Sequence, residues 1–178
     1  KRMYWFTGFL KCRVIDSDGI SYLERYYLCT AFGKRFFVHR FMDSDPDRGV
    51  HDHPWSWAVS FIIAGGYNEI IMDEEENFWY VHERTKRAPA INVINGGVHH
   101  RVLLPKEKHG KTWTLFVHGP RDRGWGFTHY TADAEGIITS KEYFPVDLEI
   151  ERKVNEHWWE RADAKTGKQI RGVQHEIL

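Results

Sequence analysis

The segment that decides the fold reads His51-Asp52-His53-Pro54-Trp55-Ser56-Trp57. Side chains on an extended strand alternate between its two faces, so His51 and His53 point to the same face. Two imidazoles on one face can bind one ion together, because neutral imidazole is a common ligand of zinc, iron, nickel and copper. The segment therefore predicts one half of a metal site carried by a strand.

Around this segment, short runs of β-branched and aromatic residues alternate with turn residues. Runs with a period of two predict strands, and many short strands predict an antiparallel barrel or sandwich. No helical period stands out in this part, so we expect an all-β domain over residues 1–145. The predicted strands cover residues 3–15, 21–30, 34–42, 55–63, 67–72, 78–82, 90–94, 100–104 and 112–118.

The sequence changes character after Pro145. Residues 147–161 are highly charged, and their apolar residues have spacings that a helix can use, so a helix or an irregular tail is predicted there. Residues 162–178 are expected to form a short hairpin through residues 165–168 or to be loosely ordered. Together, residues 146–178 are predicted to form a C-terminal extension packed on the barrel.

The composition limits the class of protein. The 178 residues are 42% hydrophobic, which suits one domain with a real core. Lys and Arg together number 25, as do Asp and Glu, so net charge favours neither nucleic acid nor an anionic membrane as a partner. The longest apolar run, residues 58–64, is far shorter than the roughly 20 residues that span a bilayer. With no secretory signal and no disulfide framework, we expect a cytoplasmic protein.

The histidine segment resembles a known signature. His51-Asp52-His53, the Gly65-Gly66 turn and Gly97 ahead of His100 are similar to the two motifs of the cupin superfamily. Small bacterial and phage cupins share this pattern, and the resemblance covers residues 22–127. It implies a double-stranded β-helix of jelly-roll type with one divalent ion inside.

The same resemblance implies that His51, His53 and His100 bind the ion. His99 is the alternative to His100, since neighbouring side chains on a strand point to opposite faces. The chain departs from the cupin pattern at the usual glutamate ligand, because Trp57 or Ala58 stands there. The result is a three-histidine site similar to that of thiol dioxygenases. The expected ion is Fe²⁺, with Zn²⁺, Ni²⁺ and Mn²⁺ as alternatives.

Two aspects of the pocket follow from this departure. Strand parity with the two histidines of the first motif predicts that Trp57 lines the pocket and binds substrate. Glu69, beyond the glycine turn, is an alternative source of a carboxylate ligand.

Residues 119–127 form a second cluster, in which Arg121 and Arg123 are flanked by glycines and aromatic residues. Their planar guanidinium groups suit a carboxylate or phosphate, so Arg121 and Arg123 are expected to anchor an anionic substrate. Trp125 is expected to stack on an apolar part of the same ligand. The alternative is that both arginines pair with acidic residues of the protein and hold a loop.

His39 and His118 lie on predicted strands. We expect His118 to contact substrate and His39 to move a proton during catalysis. Core packing without a chemical role is the alternative for both.

Three functions are compatible with this pattern. The favoured one is a mononuclear non-haem iron oxygenase acting on a small, anionic substrate, because three protein ligands leave coordination positions open. The second is a metal-dependent isomerase, epimerase or lyase, and the third is a non-catalytic barrel that binds a small ligand or serves a structural purpose. Exposed edge strands also make a homodimer an expectation.

Overall fold

Strands form most of the chain between residues 12 and 145. The computed structural model describes residues 2–176. Within this range the strands form two antiparallel sheets of six strands each, in the orders β1-β2-β3-β10-β5-β8 and β12-β11-β4-β9-β6-β7. The elements are α1 (Arg2–Gly8), β1 (Cys12–Ser17), β2 (Ile20–Ala31), β3 (Lys34–Phe41), β4 (Val50–His51), β5 (Trp57–Ala64), β6 (Gly66–Glu75), β7 (Phe78–Arg87), β8 (Ala90–Asn95), β9 (His99–Leu103), β10 (Thr112–His118), β11 (Gly126–Ala132), β12 (Ile138–Pro145), α2 (Leu148–Asn155) and α3 (Gly167–Glu176).

The order of strand pairing defines the fold. β3 pairs with β10, β4 with β9, β5 with β8 and β6 with β7, so the strands from β3 to β10 nest like one long hairpin. This hairpin is rolled up, because β10 also pairs with β5 and β9 with β6. Two facing sheets connected in this way form a jelly roll. The fold is therefore the cupin-type double-stranded β-helix, which confirms the predicted fold class.

The chain crosses between the two sheets at a glycine corner. β5 ends at Ala64 and β6 begins at Gly66, so Gly65 is the single linking residue. Gly65 has a φ of 74°, and a Cβ there would lie 2.4 Å from the side-chain oxygen of Thr112. Glycine suits this corner because it has no Cβ and readily adopts a positive φ.

The N-terminal segment differs from its predicted strand. Residues 3–15 are a strand only in their second half, because Arg2–Gly8 form α1 and β1 begins at Cys12. Within α1, the Thr7 hydroxyl donates a hydrogen bond to the carbonyl oxygen of Met3 at 2.8 Å. Tyr4 packs edge-on against Trp113 of the barrel, with 5.6 Å between ring centroids. Contacts with the barrel thus override the strand propensity of these aromatic residues.

Helices follow the last strand. Asp147 caps α2, and its carboxylate accepts two backbone N–H bonds at 2.9 and 3.2 Å. A 3₁₀ turn, Trp158–Glu160, then buries Trp159, whose ring stacks on Tyr27 at 4.2 Å. These contacts attach the C-terminal segment to β2 of the barrel.

Residues 167–176 form a helix, so the prediction of a hairpin or loose chain over residues 162–178 is wrong for this part. Gly167–Glu176 form α3, while Ile177 and Leu178 lie outside the described residues. Gln169 accepts a hydrogen bond from the backbone N–H of Thr166 at 2.8 Å, and the Thr166 hydroxyl accepts one from the backbone N–H of Gln169 at 3.4 Å. This reciprocal pair is a capping box, a helix-start signal that the sequence carries. None of the helices within residues 2–176 has the length and apolar character needed to cross a bilayer.

Candidate metal centre

Three imidazoles converge inside the barrel. The ring centroids of His51 and His53 lie 5.0 Å apart, those of His51 and His100 5.0 Å, and those of His53 and His100 4.9 Å. One ring nitrogen from each histidine lies within 4.8 Å of the other two, and the Nε2 atoms of His53 and His100 are 2.7 Å apart. This near-equilateral triangle can present three nitrogen ligands to a common centre.

Strand pairing brings the three histidines together. His51 on β4 is directly opposite His100 on β9, and directly opposed residues share a face of the sheet. His53 follows the end of β4, and its backbone N–H donates to the carbonyl oxygen of Gly96 at 3.3 Å. A Cβ at Gly96 would lie 1.9 Å from the backbone oxygen of Trp55. The glycine thus allows the segment that carries His53 to lie against the turn before β9.

The donor set suits a divalent transition metal. Burial, and then the neighbouring His100, lowers the pKa of His51 and of His53 well below the ordinary 6.5. Both rings are therefore neutral at pH 7 and can offer a lone pair. Two ligands about 2.1 Å from one ion lie roughly 3.0–3.4 Å apart, so small side-chain rotations bring all three nitrogens into range. Imidazoles fit Fe²⁺, Zn²⁺ and Ni²⁺ better than Mn²⁺, which prefers oxygen ligands.

Glu69 binds His100 and occupies no place in the triangle of nitrogens. It is fully buried on β6, and its carboxylate accepts a short hydrogen bond from Nδ1 of His100. Arg84 and Asn92 donate to the same carboxylate at 2.9 and 3.1 Å. Burial raises the pKa of Glu69, but the bonds from His100 and Arg84 outweigh it and lower that pKa to about 2. With its Nδ1 proton directed to Glu69, His100 leaves Nε2 available to an ion.

Glu69 was an alternative candidate for a carboxylate ligand of the ion, but in the structure it is bound to His100. On β6 the buried positions Tyr67, Glu69 and Ile71 alternate with less buried ones. A glutamate at an inward position of an apolar strand was the available signal, because a buried carboxylate needs partners.

Asp52 and His99 make their hydrogen bonds outside the triangle of histidines. The buried Asp52 carboxylate accepts a hydrogen bond from the backbone N–H of Gly126 at 2.7 Å. His99 Nδ1 lies 3.0 Å from the hydroxyl oxygen of Thr128. Of the two neighbouring histidines, His100 is therefore the one that joins His51.

A cavity of about 480 Å³ lies beside the three histidines. Its size suits a small organic molecule. Residues of both sheets and of α2 form its wall, which is largely apolar and aromatic. Wall residues that bear on its chemistry are Arg25, His39, Asp45, Trp55, Phe116, Arg121, Trp125, Phe127 and Glu151.

Trp55 borders this cavity, whereas Trp57, which was expected in the pocket wall, lies outside it. Parity does not extend from His51 to Trp57, because β4 ends at His51 and β5 starts at Trp57. Trp55 stacks on His53, with ring centroids 4.7 Å apart and planes 11° apart. Trp57 instead lies against Gly119, where a Cβ would meet the indole nitrogen at 2.9 Å.

Both arginines of residues 119–127 pair with carboxylates of the protein. Arg121 borders the cavity and binds the buried carboxylate of Glu151 on α2. Arg123 lies outside the cavity wall and pairs with Asp52, with 3.4 Å between nitrogen and oxygen. These contacts agree with the alternative in which both arginines hold a loop, and substrate binding by Arg121 and Arg123 stays a prediction. Trp125 does border the cavity.

His39 and His118 are both buried, on β3 and β10. His39 borders the cavity, and its Nε2 accepts a hydrogen bond from Nε of Arg25 at 3.1 Å. Burial, and then Arg25, lowers the pKa of His39 well below 6.5. His118 is not part of the wall of this cavity, and its contact with substrate stays a prediction. It stacks on Trp55 at 4.4 Å between ring centroids.

No protein-family model and no curated protein matches the chain. Solved structures of similar fold include FeII HppE, with a TM-score of 0.47 and 16% identity over 60% of this chain and 55% of that chain. The hydroxypropylphosphonic acid epoxidase from S. wedmorenis gives a TM-score of 0.45 and 16% identity over 61% of this chain and 55% of that chain. An oxalate oxidase gives a TM-score of 0.45 and 14% identity over 65% of this chain and 59% of that chain. This chain therefore spans little more than half the length of those chains. The strand order establishes the cupin-type fold, and the site must establish the function.

Proposed function

We propose that the protein is a mononuclear non-haem iron enzyme that oxidises a small anionic substrate with dioxygen. The triangle formed by His51, His53 and His100 carries the proposal, because three imidazole nitrogens stand beside a cavity of substrate size. A ferrous ion bound there supplies the redox chemistry, with coordination positions left open by the small number of protein ligands.

The surrounding residues prepare this site. Glu69 fixes the ring orientation and tautomer of His100 through its hydrogen bond to Nδ1. The indole of Trp55 covers one face of His53 and restricts its rotation. Phe116 and Phe127 add apolar wall that keeps bulk water away from the reacting groups.

The contacts of His39 favour oxidation over isomerisation. An isomerase needs a base that takes a proton near pH 7. The Nε2 lone pair of His39 accepts a hydrogen bond from Arg25, and its pKa is well below 6.5. His39 is therefore poorly suited to the proton transfer expected of it in an isomerase.

Metal analysis tests the first half of the proposal. Protein loaded anaerobically with ferrous ion and then desalted should retain about one equivalent of iron per chain. His51→Ala, His53→Ala and His100→Ala should each retain less than a tenth of that amount, because two imidazoles form a weak site. His82→Ala, an exposed histidine on β7, is the matched control and should retain the full amount. Wild-type protein that holds no iron would refute the proposal.

Oxygen consumption tests the second half. The ferrous protein should consume dioxygen with at least one member of a panel of small thiols, amino acids, carboxylates and phosphonates, and the His100→Ala variant should not. Metal retention without oxygen uptake on any member would reject the oxygenase and leave a metal-binding protein. Conversion of a substrate without oxygen uptake would instead assign an isomerase or lyase.

A further inference from the structure

Two tryptophans border the cavity with hydrogen-bond donors that have no acceptor. Trp55 and Trp125 both belong to the wall, and the indole nitrogen of each is buried without a partner among residues 2–176. Trp55 is only 4% exposed, so bulk solvent does not reach its ring freely. Native structures rarely leave a buried donor unpaired unless a ligand or an ordered water completes it.

Both indoles lie close to the proposed metal ligands. Trp55 stacks directly on His53. Trp125 lies 5.6 Å from Phe127, and Phe127 lies 5.9 Å from His51, measured between ring centroids. Both indole rings are therefore part of the cavity wall, one in contact with His53 and the other in contact with Phe127.

Arg25 adds a positive charge to the same wall. Its Nε donates to His39, and no hydrogen bond or ion pair between Arg25 and a carboxylate is found in the described part of the chain. Burial, and then the charges of Arg121 and Arg13, lowers the pKa of Arg25 to about 10, which still leaves it charged at pH 7. The guanidinium has five N–H donors, and one of them is used by His39.

Of the acidic residues in the wall, Asp16 is exposed and the other three are engaged elsewhere. Asp45 accepts a hydrogen bond from the backbone N–H of Val102 at 2.8 Å. Asp147 caps α2, and Glu151 binds Arg121. Glu151 lies near enough to raise the pKa of Arg25, and the guanidinium lies 5.5 Å from the Phe37 ring centroid, but no carboxylate among the described residues bonds to Arg25.

We propose that Arg25, Trp55 and Trp125 form an oxyanion subsite that holds a carboxylate or phosphate-like group of the substrate beside the metal centre. The assignment rests on the proposed function and deepens it by naming the substrate class. In this proposal Arg25 on β2, and not Arg121 or Arg123 of the loop, binds the anionic group of the substrate. A neutral ligand would leave the positive charge of Arg25 without an anionic partner, and this penalty selects for anionic oxygen.

Calorimetric binding to the metal-loaded protein tests the subsite, with acetate and inorganic phosphate as anionic probes and acetamide as the neutral isostere of acetate. Zinc loading keeps the protein redox-inert. At least one anion should bind about 10-fold or more tightly than acetamide. Arg25→Gln should weaken that binding by about 10- to 100-fold, because hydrogen bonds to charged groups are the strong ones.

The indole donors are tested with variants that keep an aromatic ring. Trp55→Phe and Trp125→Phe should each weaken anion binding by about 3- to 10-fold while retaining the metal. Trp5→Phe and Arg87→Gln, at exposed positions of α1 and β7, are the matched controls and should bind like the wild type. If Arg25→Gln fails to fold, Arg25→Lys replaces it, because lysine keeps the positive charge but lacks the planar guanidinium. Its loss of anion affinity should be smaller than that expected for Arg25→Gln.

The outcomes separate the two proposals. Anions that bind no better than acetamide, or variants with unchanged affinity in protein that holds metal, would overturn the subsite alone. Loss of anion binding in the three variants would support the subsite, even in a protein that proves unable to hold iron. That last result would reject the proposed oxygenase and leave an anion-binding barrel.

Discussion

At the residue scale, the candidate metal centre depends on the carboxylate of Glu69, which is hydrogen-bonded to the ligand His100. The cupin resemblance leads to the expectation of a missing glutamate, since Trp57 or Ala58 stands at its place in the sequence. The structure has a buried glutamate nearby, but its carboxylate accepts a hydrogen bond from Nδ1 of His100. A histidine whose second nitrogen is held by a carboxylate is a better oriented and more basic ligand.

Glu69→Gln should therefore weaken metal binding by about 10- to 100-fold without abolishing it. The amide keeps the size of the side chain but removes the charge that holds His100, Arg84 and Asn92. Competition with a chelator of known affinity measures the effect. Glu83→Gln, an exposed glutamate on β7, serves as control. Equal affinities for the two variants would show that Glu69 does not tune the site.

The two cysteines should differ sharply in reactivity. Burial, and then the carboxylate of Glu24, raises the pKa of Cys12 to about 12, so only about one molecule in ten thousand carries the reactive thiolate at pH 8. Cys29 is exposed. A disulfide reagent should thus titrate one thiol per native chain and two after denaturation, and native Cys29→Ser protein should give none. Rapid labelling of two thiols in the native chain would contradict the burial of Cys12.

At the element scale, strand pairing positions His51 and His100, and a short connection positions His53. β4 contains two residues, and His53 lies beyond its end. The position of His53 depends on the hydrogen bond from its backbone N–H to Gly96 and on the close approach of the Trp55 backbone to that glycine. Period-two reasoning identified both histidines, but it failed at Trp57 because the strand is interrupted.

Gly96→Ala should disturb the site while its neighbour tolerates the same change. The added Cβ would lie 1.9 Å from a backbone oxygen, so the segment carrying His53 must move. We expect a loss of about 1–3 kcal/mol in unfolding free energy, as for other overpacking changes, together with weaker metal retention. At Gly97 the nearest atom would be Arg123 Nη1 at 3.4 Å, so Gly97→Ala should be nearly neutral. Denaturant unfolding and metal analysis of both variants check this, and similar losses in the two would refute the backbone argument.

At the scale of the whole molecule, the barrel closes the site by joining residues that are far apart in sequence. His100 follows His53 by 47 positions, and α2 contributes Glu151 to the cavity from beyond the last strand. An ion held by His51, His53 and His100 would tie β4, the connection after it and β9 together.

Metal binding should therefore stabilise the native fold measurably. A ligand that binds the folded state alone adds about 2.7 kcal/mol at a concentration 100 times its dissociation constant. Thermal unfolding with and without added zinc should show a higher Tm in the wild type and no shift in His100→Ala. An identical Tm with and without metal in the wild type would argue against a folded-state site.

The sequence by itself determined the strand-rich fold class and the three histidines, because both are written in local patterns: period-two runs and a His-x-His pair with a cupin-like second motif. The sequence also contains the capping box of α3 and the inward glutamate of β6. The first indicates a helix where a hairpin or loose chain is expected, and the second indicates a buried carboxylate that needs partners. Only the tertiary structure decided that Trp55 replaces Trp57, that Arg121 and Arg123 are paired within the protein, and that Arg25 faces the cavity. The physical reason is that a side chain's partner across a barrel is set by strand register and loop course, which no local window of sequence specifies.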